Sequence, residues 1–499
     1  MRHNRQNKAE PNAEKYRIDS LTDITWNNLK NVIRYNHYAQ MLLILLIMGG
    51  ILRFYNLGYN SLWLDEACTY DFAQLSLGGI LELTTKTGDV NPPLFYAIEH
   101  FMLGLGNNEI ILRLIPALLG MFSIPVMYFL GREICGRLAG IIAAALLTFS
   151  TFHVYYSQDA RAYTTVLFFF SVAVLFYLLA LKRNSIPYWC LFGIFCALAF
   201  WSHFYVFIGI GIIFLHAFII KRNEILKNIA SIKPIILGLL SFVLLTSPLL
   251  YGTIQLYFMR TASAPTWGIS GFDVFTQTIV LFSGSELYLT ILFLFTAVVG
   301  ILYLTFNKDK QGFALLLAML IILPFIASVF FSSVMPMSPR YLIFVLPFYF
   351  VAIGAAFNLI PKEVDAKKVA VIAIILICLV SIPYFTSYYT TYSKNDWRGF
   401  SEYLTAETQN GDYVVVLPGY MTLPLDYYYD STKDDTHEVQ ANSAKELEEI
   451  EQTRGDTTAY YVVTADIYAA NPEGDALNWL NANTKYIGRN MGINLFLSQ

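Results

Sequence analysis

Charge is scarce in this chain. Asp, Glu, Lys and Arg make up 14% of its 499 residues, where an ordinary soluble domain carries roughly 25%. That shortage excludes a water-soluble enzyme of this size. Cysteine is sparse as well: there are five, with no CxxC pair, which excludes a fold built on disulfides. A basic excess is also missing. The net charge of −3 and pI near 6.2 leave no electrostatic footprint for nucleic acid. What the chain has in abundance is apolar surface, 56% of residues with a mean hydropathy of +0.50. It comes in long runs that a disordered or collagen-like chain does not contain. The class that remains is a polytopic membrane protein, with the lipid bilayer as its first partner.

A spanning helix needs about 20 mostly apolar residues. Eleven segments answer to that, with thirteen as the upper bound: 38–57, 110–130, 138–154, 162–181, 187–204, 205–220, 234–251, 287–306, 312–332, 341–360 and 368–386. The run at 92–105 (PPLFYAIEHFMLGL) is too short to cross and carries Glu99 and His100; it reads as a helix lying in the interface. Basic residues test this arrangement. With the N-terminus in the cytoplasm and no crossing at 92–105, twenty of the 33 Lys and Arg fall on the inner segments, six on the outer ones before residue 390 and seven in the tail. The predicted topology therefore places the C-terminal region outside the cytoplasm, in the cell or inner membrane of the envelope.

Three units follow: an N-terminal tail at 1–37, a membrane unit at 38–390 with a long first outer loop at 58–109, and a soluble unit at 391–499. Long loops are usually functional. The soluble tail alternates runs of β-branched and aromatic residues (413–419, 458–465, 484–490, 493–498) with helical stretches (443–454, 475–483), so it reads as a small α/β domain.

Ionisable residues near the ends of spans are costly unless used or paired, and here they gather on one side. WLDEA places Asp65 and Glu66 just past the first span, and YYSQDARAY places Gln158, Asp159, Arg161 and Tyr163 between the third and fourth. Arg113 opens the second span, His203 ends the fifth, Glu286 precedes the eighth and Arg340 opens the tenth. Arginine presents a planar fork to phosphate oxygens, and a carboxylate can take a proton from a hydroxyl. The chemistry suggested is group transfer from a phosphate-linked lipid. The same residues have plainer uses. Asp159 and Arg161 could neutralise each other, Arg113 and Arg340 could snorkel to headgroups, Asp65 or Glu66 could cap a helix, and Asn91 with Pro92 and Pro93 is a helix-start signal.

SLWLDEA (61–67), NPPLFY (91–96), RLIPALLG (113–120), GR and GRLAG (131–140), HVYYSQDARAY (153–163) and PRYLIFVLP (339–347) occur in this order. With them the chain resembles the bacterial membrane glycosyltransferases related to protein O-mannosyltransferases and the lipid A aminoarabinose transferase, a glycosyltransferase family 39-like group of the GT-C fold class. KNDWRGFSEYL (394–404), GDYVVVLPGY (411–420) and PLDYYY (424–429) resemble the outer domain of one bacterial branch. The resemblance implies a hexosyl or pentosyl donor linked to polyprenyl phosphate and an acceptor hydroxyl on a protein, lipid or polysaccharide. It implies inversion, with Asp65 as general base beside Glu66. Arg161 and Arg340 are expected to meet the phosphate, and Gln158, Asp159, Asn91 and Tyr163 the substrate. Relatives often carry His-Pro-Pro or a Lys-Pro pair where this chain has Asn91-Pro92-Pro93, so this position offers a hydrogen bond without a charge. No cofactor is implied with certainty; a divalent metal is used by some distant members of the fold class. The competing expectation is a transporter or flippase of lipid-linked saccharides, for which repeats and mid-membrane helix breaks would be the mark.

Overall fold

The computed structural model describes residues 29–86, 91–261, 265, 267–361, 363–432, 435–490 and 492–499. Residues 1–28 of the expected tail at 1–37 and residues 87–90 of the loop at 58–109 lie outside these. Among the described residues nine helices are long and apolar enough to cross a membrane, and a bent pair makes a tenth. The expected span at 187–204 is the helix Ile186–Ser202, at 17 residues short of that test. The run at 92–105 forms a helix of only nine residues, Leu94–Met102.

The bent pair explains why 138–154 looked short. Helix Arg137–Thr148 stops, Ser150 caps a new helix by accepting from the His153 N–H at 3.2 Å, and Thr151–Ser157 leaves at 60°. Such a break frees carbonyls that lipid cannot satisfy. Arg53, wholly buried at the end of helix His37–Phe54, donates to the Leu147 and Thr148 carbonyls at 3.0 and 3.3 Å and bonds His153 Nδ1 at 2.8 Å. The break is a supported turn that redirects residues 158–163 towards the first long loop.

That loop holds helices Leu64–Ala73, Leu77–Lys86 and Leu94–Met102. Neither Asp65 nor Asn91 is a cap. The first helix starts after Trp63, and Glu66 reaches back to the Trp63 N–H at 3.4 Å, half of a capping box. The third helix begins only after Pro93.

The last long helix, Ala366–Thr390, leads into a five-stranded sheet ordered β2-β1-β3-β5-β4, with β1 (Tyr413–Leu417), β2 (His437–Gln440), β3 (Ala459–Val463), β4 (Thr484–Asn490) and β5 (Ile493–Ser498). β1 pairs in parallel with β2 and β3, while β5 is antiparallel to β3 and β4. Period two sorts β1: Val415 and Leu417 pack with Leu447, Ile450 and Leu480 on one face, Val414 and Val416 with Trp397, Phe400 and Leu404 on the other. Both faces are covered, which is why the run is apolar throughout. Leu64 of the loop packs against the second cluster, so this small domain is seated on the loop.

Candidate active site

Helix Leu64–Ala73 sends its two adjacent carboxylates to different surroundings. Glu66 is fully buried. Its two oxygens take a bidentate pair from Arg113 at 2.7 Å each, and it also accepts from the Ala160 N–H at 2.8 Å and from Lys394 Nζ at 2.9 Å. Arg113 does not snorkel. Its remaining donors pin the Leu57, Asn60 and Ser61 carbonyls at 2.9, 2.8 and 3.1 Å, which sets the exit of the chain from the first span. Burial alone would push the Glu66 carboxyl up, but Arg113 and Lys394 hold it well below the usual carboxylate range.

Asp65 is built differently. Its side chain stays 22% exposed, with Oδ2 3.3 Å from Arg340 Nη2 and 3.9 Å from Arg161 Nε. No backbone donor claims it among the described contacts. Arg161 is anchored by the Asp65 carbonyl at 3.1 Å, Thr69 at 3.2 Å and the Tyr96 hydroxyl at 3.4 Å. Arg340 lies over the rings of Trp63, Tyr163 and Tyr341, with its carbon centre 5.1, 5.6 and 5.7 Å from their centroids. Aromatic faces hold a guanidinium without neutralising it, and Arg340 Nε has no hydrogen-bond partner among the described residues.

Asp159 is also fully buried. Oδ1 accepts from Trp63 Nε1 at 2.7 Å and Lys394 Nζ at 2.8 Å, and Oδ2 has no partner among the described residues. Burial and the nearby Glu66 push this carboxyl up against the pull of Lys394. Its side chain pairs with Lys394, not with Arg161.

The remaining expected residues divide. Asn91 stands by open space: it lines an apolar cavity of about 640 Å3 with His203, Phe204, Tyr205, Leu250 and Tyr341. Tyr163 is buried behind that lining, its ring centroid 5.9 Å from that of His203. Gln158 turns the other way. Its amide donates to the Arg53 and Tyr55 carbonyls at 3.1 and 2.8 Å and accepts from Tyr388 at 2.8 Å, so it ties the ends of two spans together. Lys394 was missed because nothing local marks it. It follows the last span and reaches carboxylates 328 and 235 residues away. Among the described residues no group of three or more His, Cys, Asp or Glu is arranged to hold a metal ion, and Glu66 and Asp159 are bound by cations of the chain itself.

The comparisons agree with this architecture. Residues 90–252 match the family of dolichyl-phosphate-mannose-protein mannosyltransferases. An uncharacterized protein of Aquifex aeolicus is 30% identical over 155 residues, 30% of this chain; the match spans 31% of the length of that relative. The crystal structure of ArnT from Cupriavidus metallidurans bound to undecaprenyl phosphate superimposes with a TM-score of 0.60 at 12% identity, over 92% of this chain and 97% of that one. The oligosaccharyltransferase AglB of Archaeoglobus fulgidus, in complex with an inhibitory peptide and a dolichol-phosphate, gives a TM-score of 0.53 at 13% identity, over 95% and 75%. At such identities the likeness is one of fold.

Proposed function

We propose that this chain, a GT-C membrane protein of the protein O-mannosyltransferase and ArnT superfamily, transfers a hexosyl or pentosyl unit from a polyprenyl-phosphate donor to an acceptor hydroxyl. The observation that carries the reading is the contrast between the two adjacent carboxylates. Glu66 is closed on every side, whereas Asp65 is partly open between two arginines. The apolar cavity of about 640 Å3 bordered by Tyr341, next to Arg340, offers a place for a lipid chain.

In this reading Asp65 takes the proton of the acceptor hydroxyl as its oxygen bonds to the anomeric carbon. The bond from that carbon to the phosphate oxygen breaks, and the electron pair leaves with the polyprenyl phosphate. Arg340 and Arg161 meet the charge that develops there. One displacement inverts the anomeric centre. Glu66 and Asp159 position the loop through Arg113 and Lys394, Gln158 holds the span ends, and Asn91 faces the sugar or its lipid, with Tyr163 behind the cavity lining. The catalytic unit is 38–390 and the domain at 391–499 clamps it. The reaction face is extracytoplasmic, with the N-terminus in the cytoplasm of a plasma-membrane protein, as the distribution of basic residues favours.

The test is release of polyprenyl phosphate by purified protein in nanodiscs, over a panel of polyprenyl-phosphate sugars and acceptors. Asp65→Asn is expected to lower turnover by about 100-fold or more, the lower end of what a general base contributes, while the variant is still recovered folded and monodisperse by size exclusion. Wild-type turnover by Asp65→Asn would end the assignment of the base. Saccharide movement across the bilayer without release would favour a flippase instead.

A further inference from the structure

The end of the bundle opposite Asp65 carries a second charged site. Helix Glu109–Cys135 starts one turn before Arg113, so its far end, 22 residues beyond Arg113, is about 33 Å from the catalytic cluster at 1.5 Å per residue. There it reverses at Gly136, whose φ of +99° favours glycine, into helix Arg137–Thr148. The sequence GREICGRLAG spans this turn. Helix packing accounts for two of its glycines: a Cβ on Gly140 would lie 2.5 Å from the Tyr128 carbonyl oxygen, and one on Gly131 2.9 Å from Gly140 Cα. It does not account for the arginines.

Arg132, Glu133, Arg137, Lys182, Gly136 and Tyr38 line a cavity of about 430 Å3 at this turn. Arg132 is 7% exposed, its guanidinium lies over the Phe129 ring with its carbon 5.8 Å from the centroid, and neither of its terminal nitrogens has a hydrogen-bond partner among the described residues. Such a group is costly unless something satisfies it. The 12-residue helix that begins at Arg137 has no side-chain cap, so the amides of its first turn add their positive end to the same cavity. Two carboxylates at this end are engaged. Glu133 pairs with Lys182 at 3.2 Å, and Asp365 accepts from the Lys367 N–H at 2.9 Å. The Cys135 carbonyl, where the negative end of the preceding helix falls, is covered by Asn358 at 3.1 Å and Lys310 at 3.4 Å. A guanidinium with two unbonded nitrogens, two further cations of which Lys182 is shared with Glu133, and an uncapped helix start match one ligand chemistry, a phosphate ester.

We propose that this turn is a phosphate-binding site, filled by the headgroup of an anionic phospholipid of the leaflet opposite the catalytic cluster. Its position at the end of spanning helices is where basic pockets meet such headgroups. The site holds lipid as structure and takes no part in sugar transfer.

The test uses the full chain in nanodiscs of phosphatidylcholine with and without phosphatidylglycerol, and reads by mass spectrometry the lipid retained after detergent washing. Wild type is expected to retain phosphatidylglycerol selectively. Arg132→Gln and Lys182→Gln should each weaken retention by about five-fold, the attraction of one basic residue to an anionic surface, while Lys445→Gln, on helix Ala444–Arg454 of the sheet domain, leaves it unchanged. Arg132→Lys keeps the charge and guards against a folding defect; it should keep part of the selectivity. In detergent without lipid, stabilisation by inorganic phosphate that Arg132→Gln abolishes, with no lipid selectivity, would support the phosphate site and reassign it to a soluble ester. Equal retention of both lipids with no response to phosphate overturns the proposal, as does full selectivity in both Arg132→Gln and Lys182→Gln.

Discussion

One lysine shows what a single residue does here. Lys394 Nζ stands between Glu66 and Asp159, two fully buried carboxylates on different elements, at 2.9 and 2.8 Å. Glu66 also has Arg113; Asp159 has no second ion pair among the described residues. Removing one member of a buried ionic group costs more than the intact group contributes, because a charge is left uncompensated. Lys394→Met is therefore expected to destabilise the protein by about 3–5 kcal/mol, measured by thermal melting in detergent. Adding Asp159→Asn to that variant should recover part of the loss, since the amide needs no cation, and a double-mutant cycle reads the coupling. The acidic pair and the arginines of this site could be picked out in the sequence because ionisable residues at span ends are rare. Which carboxylate stays open could not, since that depends on Arg113, Ala160 and Lys394 arriving from three other segments.

Among the elements, close helix contacts are made by glycine. Helix Leu287–Phe306 crosses Leu346–Ala356 so closely that a Cβ on Gly300 would lie 1.9 Å from the Ala352 carbonyl oxygen. Backbone on the far side leaves no side chain to move, and in lipid such packing is a main source of helix association. Gly300→Leu is expected to abolish recovery of folded, monodisperse protein. Gly211→Ala, where nothing lies within 4 Å, should be tolerated and gain up to about 1 kcal/mol in helix propensity. Size-exclusion profiles of the two variants check this. The elements also show where pattern reading stops. Four strands of the tail domain were legible from β-branched runs, but β2 was not: His437–Gln440 is a four-residue edge strand, half exposed and polar, with no apolar alternation to mark it. The bent pair was legible only as a short span, because its break rests on Arg53, supplied by another helix.

On the scale of the whole molecule, the tail domain is docked on the first long loop by several independent contacts. Ser61 donates to Asp396 at 2.6 Å, the Tyr428 hydroxyl accepts from the Leu62 N–H at 2.9 Å, Arg398 pairs with Glu109, and Tyr59 stacks on Tyr392 at 4.6 Å. Near this junction Asp426 and Glu438 sit together with Asp71 of the loop in electrostatic reach of Asp426. Burial first, then the hydrogen bond and charge of Asp426, push the Glu438 carboxyl up to about 8. The folded state thus holds a proton that the unfolded chain releases in the ordinary carboxylate range. The stabilisation is complete at acid pH and is lost as pH rises from that range through about 8. Melting temperature should fall across this window, and Glu438→Gln should flatten the profile and raise stability at its alkaline end. A profile unchanged by Glu438→Gln would assign the titration to another group.

Composition and periodicity by themselves determined the membrane class, the placement of the apolar helices, the small α/β tail and the gathering of charge at span ends. These are local properties: a run of apolar residues must leave water wherever it occurs, and a strand alternates whatever its partner. Only the tertiary structure decided that Glu66 is sealed and Asp65 open, that Gln158 faces the span ends, and that the tail lends Lys394 to the site. Those outcomes depend on pairings over hundreds of residues, and the energy of a buried charge is set by which opposite charges the fold brings within about 4 Å of it.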